Sequence, residues 1–305
     1  MSDAGAAGPG HSRTVELGGP VHYVDFGGPD EGPTVVLVHG LGGSHLNWDL
    51  LAPLLRPHAR VLALDLPGFG LSEPELRLAT VQNNRRVLDR FIHEVAGAPV
   101  VLVGNSMGGM ISILQTSRRP ETVSGLVLLD PAIPGGRRKL DGRVVLNFAA
   151  FGVPGVGERF LAARRRRMGP RATVLQTLEL CGIDPDAVPP RLIDRSVELL
   201  HQRKDVAGMD RAFLTAARSL ILLLVDPRLL RRAMAAIQVP VLLMQGDRDR
   251  LVPVAAAREA AVRHPAWRYV ELAGVGHVPQ LQVAGRVAEE ILSWMRETAN
   301  VDEPA

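Results

Sequence analysis

Short apolar runs alternate with amphipathic stretches along most of the chain. Continuous runs rich in valine and leucine are typical of parallel strands buried on both faces. Such runs occur at 34–38, 61–64, 100–103, 126–129, 239–244 and 269–272. Helix-compatible stretches separate or follow them at 80–95, 110–118, 255–263 and 283–296. The alternation predicts an α/β fold with a doubly wound, mostly parallel sheet, and residues 15–17 and 21–26 predict a hairpin that enters it.

The strand pattern stops after the sixth predicted strand and resumes only near residue 239. Residues 133–237 offer helix-compatible stretches with clustered arginines. We interpret this block as a helical cap over the carboxyl edge of the sheet, where it would supply most of a substrate pocket. A separate helical domain is the alternative. With too little apolar surface at 1–13 to offset ordering entropy, we predict a disordered start, a core of 14–132 and 238–299, and a cap at 133–237.

Composition narrows the class of protein without changing this outline. The chain has 305 residues, 46% of them hydrophobic and 22% charged, so one large domain with an insertion is the simplest expectation. The formal charge of +3 comes mostly from arginines scattered among apolar residues, and only 4% of residues are aromatic. This composition lacks the basic and aromatic pattern of nucleic-acid binding, so no nucleic-acid partner is expected.

Cysteine use and hydropathy bear on the compartment. Cys181 is the only cysteine, so no intramolecular disulfide can form and no zinc cluster is indicated. The first residues lack a basic segment followed by an apolar run, and the apolar stretch at 220–225 is too short to span a bilayer. We expect a cytoplasmic protein without a transmembrane segment. Peripheral membrane contact and the oligomeric state stay open.

A Gly-x-Ser-x-Gly motif at 104–108 lies between an apolar run and a helix-compatible stretch. A strand, a sharp turn and a helix would lift Ser106 to the carboxyl end of the sheet beside a helix N-terminus, where its hydroxyl can act as a nucleophile. Gly104 and Gly108 would keep side chains out of the crowded turn. A plain glycine-rich loop is the alternative, but the position after a buried strand favours a functional serine.

Four further motifs lie at the ends of predicted strands. They are His-Gly-Leu-Gly-Gly at 39–43, Asp-Leu-Pro-Gly-Phe-Gly-Leu-Ser at 65–72, Gly-Asp-Arg-Asp-Arg-Leu-Val-Pro at 246–253 and Gly-His at 276–277. Together with Gly-Asn-Ser-Met-Gly-Gly at 104–109, and in this order, they make the chain resemble the α/β-hydrolase fold enzymes over nearly its whole length. The resemblance implies a cap-bearing serine hydrolase of the esterase and lipase type.

Acyl transfer needs a nucleophile, a base that takes its proton and a carboxylate that orients the base. Ser106 is the expected nucleophile, and His277, in a glycine-rich loop after the last strand, is the expected base. The spacing within the family's acid motif selects Asp249. Asp130 is an alternative because some cap-bearing relatives place the acid after the preceding strand, and Asp247 is a weaker one that could instead stabilise its turn.

The oxyanion of an acyl transfer also needs hydrogen-bond donors. The backbone N–H groups of Met107, which follows the nucleophile, and of Leu41, in the loop after the third strand, are the expected donors. Gly40 and Gly42 would let this loop approach the substrate, and Trp48 would line the pocket, although a core position for Trp48 is equally compatible with the sequence. No metal or organic cofactor is expected.

The predicted function is the hydrolysis of a carboxylic ester, with a hydrophobic acyl or alcohol part, through an acyl-enzyme. One alternative is carbon–carbon bond hydrolysis of ring-cleavage products, because 104–109 is similar to the nucleophile turn of those enzymes. Against it, Val278 and Pro279 follow His277 where those enzymes usually carry tryptophan. Dehalogenases of this fold need a carboxylate nucleophile, whereas position 106 is serine. A non-catalytic ligand-binding protein of the same fold is the alternative of another class.

Overall fold

The computed structural model describes residues 10–135 and 142–299, through which one eight-stranded sheet runs. Its strands are β1 (His11–Glu16), β2 (Pro20–Asp25), β3 (Thr34–Val38), β4 (Arg60–Leu64), β5 (Val100–Asn105), β6 (Val123–Leu129), β7 (Val241–Gly246) and β8 (Arg268–Leu272). The spatial order is β1-β2-β4-β3-β5-β6-β7-β8, with β2 antiparallel to both neighbours and all other pairs parallel. The predicted doubly wound, mostly parallel sheet is confirmed.

The described residues form twelve α-helices, some of which cover the two faces of the sheet. They are α1 (Ala52–Leu55), α2 (Val81–Phe91), α3 (Met107–Arg118), α4 (Gly142–Gly152), α5 (Val156–Arg167), α6 (Pro170–Leu180), α7 (Pro190–Gln202), α8 (Met209–Val225), α9 (Arg228–Ala235), α10 (Val254–Arg263), α11 (Pro279–Gln282) and α12 (Ala284–Ala299). Because side chains alternate along a strand, Val36 and Val38 of β3 pack with α2, α3, α9 and α10, whereas Val35 and Leu37 pack with α1 and α12. Burial on both faces explains the continuous apolar runs.

The amino-terminal prediction needs a correction. Residues 1–13 were expected to be disordered, but β1 begins at His11 and pairs with β2 from His11 opposite Asp25 to Glu16 opposite Pro20. Five of its six residues are exposed, so hydropathy carries no signal there, and the backbone ladder to β2 forms the strand. Residues 1–9 lie outside the described part of the chain.

Six helices, α4 to α9, separate β6 from β7, and the described residues of this block contain no strand. Phe151 of α4 and Leu214 of α8 share a small apolar cluster with side chains of α5, whereas Leu230 and Met234 of α9 are buried in the cluster that covers the sheet. By its contacts α9 therefore belongs to the sheet layer. The cap boundaries at 133 and 237 stay a prediction. No helix within 10–135 and 142–299 is long and apolar enough to cross a lipid bilayer.

Parallel order brings the carboxyl ends of β3, β5, β6, β7 and β8 to one edge of the sheet. Ligands of open α/β sheets bind at this edge, because the loops that leave the strands converge there. The loops after these five strands contain most of the residues that the sequence singles out for the site. Met107 is the first residue of α3, and Trp48 lies a few residues further along the chain than the loop after β3.

Candidate active site

Ser106 lies in the turn between β5 and α3 with φ 54° and ψ −118°. A positive φ is costly for a residue with a side chain and is found where the surrounding structure enforces it. A Cβ on Gly104 would lie 2.6 Å from the carbonyl oxygen of Gly108, and a Cβ on Gly108 would lie 2.0 Å from the carbonyl oxygen of Val38. Strand and helix can therefore approach this closely only with glycine on both sides of Ser106.

His277 and Asp249 form a buried hydrogen-bonded pair. His277 Nδ1 lies 2.7 Å from Asp249 Oδ2, so the proton on Nδ1 is donated to the carboxylate and Nε2 is left as the acceptor nitrogen. The other carboxylate oxygen, Oδ1, accepts the N–H groups of Leu251 at 2.7 Å and Val252 at 3.0 Å. These bonds fix the plane of the carboxylate and with it the orientation of the imidazole.

Two long-range contacts hold the His277 loop in place, one to the residue before Ser106 and one to the inserted helices. Asn105, the residue before Ser106, donates its side-chain amide to the carbonyl of His277 at 3.1 Å and to that of Leu129 at 3.0 Å. The N–H of His277 donates to the carbonyl of Cys181, in the turn after α6, at 2.8 Å. The histidine loop is therefore held from the sheet and from the inserted helices.

The Ser106 hydroxyl makes no hydrogen bond to another described residue. Catalytic hydrogen bonds are often long in free enzymes and tighten when substrate binds. The sequence singled out Ser106 and His277, but it did not indicate the two contacts that hold the His277 loop in place. Asn105 lies within the recognised motif, so its polarity at the end of an apolar strand is a usable signal. The Cys181 contact runs through a backbone carbonyl and leaves no signal in the sequence.

The three carboxyls considered for the acid occupy different places. Asp249 bonds His277, as described. Asp247 is exposed and its Oδ1 accepts the N–H of Gly274 at 2.7 Å, which is the turn-stabilising role. Asp130, after β6, is fully buried, and its ligand atom lies within 4.8 Å of those of both Asp249 and His277. The loops after β6 and β7 thus bring two carboxyls to the same histidine, and one of them bonds it.

Gln245, the polar residue near the end of β7, donates hydrogen bonds to both Asp130 and Asp249. Its Nε2 lies 2.7 Å from Asp130 Oδ1, 2.9 Å from Asp249 Oδ2 and 3.2 Å from the carbonyl of Val252. Gln245 belongs to none of the motifs that the sequence singled out. A fully buried glutamine at the end of an otherwise apolar strand is the signal that could have indicated it, because a buried amide needs partners.

The loop after β3 approaches Ser106 closely. A Cβ on Gly40 would lie 2.9 Å from Ser106 Cβ, so only glycine allows this approach. The N–H of Leu41 makes no hydrogen bond to the described residues. Met107 is the first residue of α3, where an N–H has no partner within the helix. Both backbone donors that the sequence suggested for an oxyanion thus lie beside Ser106 without a partner inside the described chain.

His39 fixes the shape of this loop. Its Nδ1 donates to the carbonyl of Gly40 at 2.7 Å, and its Nε2 accepts the N–H of Leu66 at 3.1 Å. This arrangement requires a neutral imidazole, and complete burial lowers the pKa of His39 from its ordinary 6.5 to about 4. The carbonyl of Gly40 also accepts the N–H of Gly43 at 3.1 Å, which closes the turn.

Helix α8 of the inserted block lies over the same loop. A Cβ on Gly42, whose φ is 77°, would lie 3.4 Å from the ring of Phe213. Phe213 and Leu41 pack together in the apolar cluster of the inserted helices. Phenylalanine rings from α4, α5 and α8 meet edge to face there, with centroids 5.2 to 6.0 Å apart, in the set Phe148, Phe151, Phe160 and Phe213. No local sequence pattern indicates that these aromatic residues come together above residues 41 and 42.

Trp48 does not line a pocket in this structure. It is fully buried in the cluster that packs α1 and α12 against the sheet, together with Leu51 and Leu55. The predicted pocket position of Trp48 is therefore wrong, and the core position that the sequence also allowed is the observed one. The apolar periodicity of 48, 51 and 55 explains it, because these residues share one face of the helical turns they form.

A second cluster of histidine and aspartate lies at the other side of the His39 loop. Asp65 is fully buried. Its Oδ2 accepts hydrogen bonds from His22 Nδ1 at 2.8 Å, from His45 Nδ1 at 2.9 Å and from the N–H of Leu71 at 2.9 Å. Its Oδ1 accepts the N–H of His45 at 2.6 Å. Although burial alone would raise the pKa of Asp65, these hydrogen bonds hold it well below its usual range.

Among the described residues, two groups have ligand atoms close enough to share a metal ion: Asp130, Asp249 and His277, and the trio His22, His45 and Asp65. In both, the histidine nitrogens nearest the carboxylates are engaged in hydrogen bonds with them. Hydrogen bonding accounts for their closeness without an ion. The expectation that no metal or organic cofactor takes part stays a prediction.

Comparisons with known proteins define the class. The profile described as the alpha/beta hydrolase family matches residues 35–290, so the chain belongs to the alpha/beta hydrolase family. A haloalkane dehalogenase of Mesorhizobium japonicum is 27% identical over 310 residues, which cover 96% of this chain and 93% of that protein. A pimeloyl-(acyl-carrier protein) methyl ester esterase of Xanthomonas oryzae pv. oryzae is 29% identical over 273 residues, covering 85% and 94%.

The fold likeness extends to solved structures. The structure of Cfl2 from Burkholderia cenocepacia matches with a TM-score of 0.77 at 23% identity and covers 94% of this chain and 96% of that one. At this identity the match concerns the fold alone. The relatives differ in reaction, so the family defines a hydrolase and leaves the bond that is cleaved to the chemistry of the site.

Proposed function

We propose that this hydrolase cleaves a carboxylic ester through an acyl-enzyme, with Ser106 as nucleophile, His277 as base and Asp249 as the acid that orients it. The observation that carries the proposal is the pair His277–Asp249, 2.7 Å apart and held by Asn105 to the strained turn of Ser106. A serine in this position supports acyl transfer over dehalogenation, which in this fold uses a carboxylate nucleophile. The similarity to a methyl ester esterase agrees with it.

In the first half-reaction the Ser106 hydroxyl oxygen attacks the ester carbonyl carbon while His277 Nε2 takes the hydroxyl proton. The negative charge that develops on the carbonyl oxygen is stabilised by the N–H groups of Leu41 and Met107. The tetrahedral intermediate then loses the alcohol, which receives the proton from His277. Asp249 stabilises the imidazolium that exists between these two proton transfers.

In the second half-reaction water attacks the acyl group on Ser106. His277 Nε2 takes a proton from the water and returns it to the Ser106 oxygen when the acid leaves, so that the enzyme is regenerated. Because the phenylalanine cluster that contains Phe213 packs against Leu41, we assign the acyl side of the pocket to an apolar substrate group.

A fluorophosphonate probe tests the nucleophile. The wild-type protein should be labelled covalently and Ser106→Ala should not, because the probe reacts only with an activated hydroxyl. Ser112→Ala is the matched control, since Ser112 is a buried serine of the same helix. Absence of Ser106-dependent labelling in folded protein would contradict a serine hydrolase and favour a non-catalytic binding protein.

A substrate panel tests the bond. Aryl esters of increasing acyl length, a vinylogous diketone ring-cleavage product and a haloalkane should be compared at equal enzyme concentration, with Ser106→Ala as the blank. We expect Ser106-dependent turnover of the esters. Turnover of the diketone alone would replace the ester assignment with carbon–carbon bond hydrolysis, and release of halide alone would contradict both.

A further inference from the structure

Asp130 is a buried carboxyl that the proposed mechanism does not use. It follows β6 with φ 45°, a backbone conformation that is uncommon for a residue with a side chain. Its side chain faces three titratable groups from three different parts of the fold: Asp249 after β7, His277 after β8 and the thiol of Cys181 after α6. No arginine or lysine of the described chain forms an ion pair with it.

The two carboxylate oxygens of Asp130 differ in their hydrogen-bond partners. Oδ1 accepts hydrogen bonds from Gln245 Nε2 at 2.7 Å and from the N–H of Gly246 at 2.9 Å. Oδ2 is fully buried and receives no donor from a described residue. One carboxylate oxygen of Asp130 lies within 4.8 Å of one of Asp249. Two carboxylates cannot hydrogen-bond to each other unless one of them carries a proton.

The surroundings decide which carboxyl carries it. Asp249 accepts four hydrogen bonds, from His277, Gln245, Leu251 and Val252, so its charge is well compensated. Asp130 has two donors and no cation, and ionising it beside the Asp249 charge would be costly in this buried position. Burial, and then the charge of Asp249, raise the pKa of Asp130 well above its usual range. The same burial and the two carboxyls raise the pKa of Cys181 to about 12, so the thiol supplies no further charge.

We propose that Asp130 stays protonated at neutral pH and donates a hydrogen bond from Oδ2 to Asp249, so that one negative charge, on Asp249, faces His277. Asp130 is then a positioning residue that acts on the base through the acid. Two charged carboxylates would stabilise the imidazolium form of His277 more strongly than one. This would slow the transfer of the proton from His277 to the leaving alcohol. This consequence for turnover rests on the proposed function, whereas the protonation of Asp130 does not.

The pH dependence of unfolding tests the protonation without reference to activity. In the unfolded chain Asp130 ionises near the ordinary pKa of an aspartate, about 3.9, whereas in the folded protein it keeps its proton. Unfolding of the wild type therefore releases a proton above this pH. Between pH 5 and 7 the unfolding constant of the wild type should rise about tenfold per pH unit relative to that of Asp130→Asn. Asp247→Asn, which removes an exposed carboxylate next to Gln245 and Gly246, is the control and should follow the wild type.

A ratio of unfolding constants that stays constant from pH 5 to 7 would overturn the proposal, because it would mean that Asp130 is charged in the folded state. Carbon-13 labelling of aspartate Cγ extends the test to the wild type alone, in case Asp130→Asn does not fold. We expect one aspartate signal at the position of a protonated carboxyl at pH 7. Its absence in the folded wild type would overturn the proposal equally.

The action through Asp249 has its own readout in the pH profile of kcat/KM. Asp130→Ala removes the donor, so Asp249 should hold the His277 imidazolium more tightly and the acid limb should move to higher pH. Asp130→Asn keeps an N–H donor at the Oδ2 position and should restore the limb of the wild type. Equal shifts in both variants would contradict the positioning role. A protein without esterase activity would contradict the proposed function and leave the unfolding result standing.

Discussion

Two buried aspartate–histidine clusters lie within the described part of this fold, and they differ in what lies beside them. In the cluster of Asp65, two histidines and two backbone N–H groups fill the carboxylate, and His22 Nε2 bonds the hydroxyl of Ser12 at 2.6 Å. In the cluster of Asp249, the carboxylate also accepts four hydrogen bonds, but His277 lies in a loop that Asn105 ties to the Ser106 turn. Both clusters contain the same residue types at nearly the same distances.

Pairing of an aspartate with a histidine therefore does not by itself define a catalytic dyad. The Asp65 cluster uses its hydrogen bonds to join β2, the His45 turn and the loop after β4, which are far apart in sequence. A group that transfers protons must lie beside the atom that reacts, and Asn105 holds the loop of His277 next to the Ser106 turn. We therefore assign stability to the first cluster and chemistry to the second, and four predictions probe this assignment.

The largest expected effect is on turnover. Asp249→Asn should lower kcat/KM for an aryl ester by about 10^4-fold, because the amide holds the wrong tautomer of His277. Initial rates with active-site titration measure it, and Asp247→Asn serves as the matched control because its carboxylate only caps a turn. A comparable loss in Asp130→Asn, with Asp249→Asn active, would move the acid to Asp130.

The matching change in the other cluster should affect stability. Asp65→Asn replaces two acceptor sites of a buried carboxylate by one acceptor and one donor that faces N–H groups. We expect the free energy of unfolding in urea to fall by roughly 3–5 kcal/mol. In Asp25→Asn, which loses a partly exposed pair with Arg60, the loss should stay below about 1 kcal/mol. Equal free energies of unfolding for Asp65→Asn and the wild type would contradict the stabilising role of this cluster.

The neutral His39 predicts a pH dependence of stability. Its pKa is about 4 in the folded protein and 6.5 ordinarily, so between these values the unfolded chain binds the additional proton. Stability from this group is present above pH 6.5 and is lost as the pH falls. Relative to His39→Gln, the wild type should lose about 1.4 kcal/mol of unfolding free energy per pH unit from 6.5 to 4. Parallel plots of unfolding free energy against pH for the wild type and His39→Gln would contradict this prediction. The control is His58→Gln at an exposed position, which should follow the wild type.

The smallest expected effect concerns substrate size. Phe213→Ala should lower kcat/KM for long acyl esters about tenfold more than for acetyl esters, because the ring packs over Gly42 and Leu41 on the expected acyl side. A ratio of long-chain to acetyl activity measured across the ester panel reports it. Leu222→Ala, an exposed residue of the same helix, should leave this ratio unchanged. An unchanged ratio in Phe213→Ala would remove the cap aromatics from the acyl site.

The sequence anticipated the elements whose residues carry a local pattern. The apolar run at 34–38 coincides with β3, and the Gly-x-Ser-x-Gly turn falls between β5 and α3 as expected. The prediction failed where the local pattern is silent or ambiguous. The exposed strand β1 forms through its backbone ladder to β2, and Trp48 could equally have been pocket or core.

The candidate site shows the same difference between features that a local motif indicates and features that depend on long-range contacts. The roles of Ser106, Asp249 and His277 and the two oxyanion donors stay predictions, although the structure brings Asp249 and His277 into a hydrogen bond. Gln245 reaches Asp130 across 115 residues of chain, and no spacing rule covers such a distance. The contact of the inserted helices with the site, through Phe213 and the carbonyl of Cys181, also depended on long-range packing.

The class of fold and the set of candidate reactive groups could be predicted from the sequence, because strand hydropathy, helix period and the glycines of tight turns act over a few residues. Long-range packing determines which carboxyl bonds His277, which carboxyl keeps an oxygen without a donor, and which aspartate–histidine cluster lies beside the Ser106 turn. These outcomes depend on burial and on donors that arrive from distant segments. A buried carboxyl takes its charge from those donors and not from its neighbours in the chain.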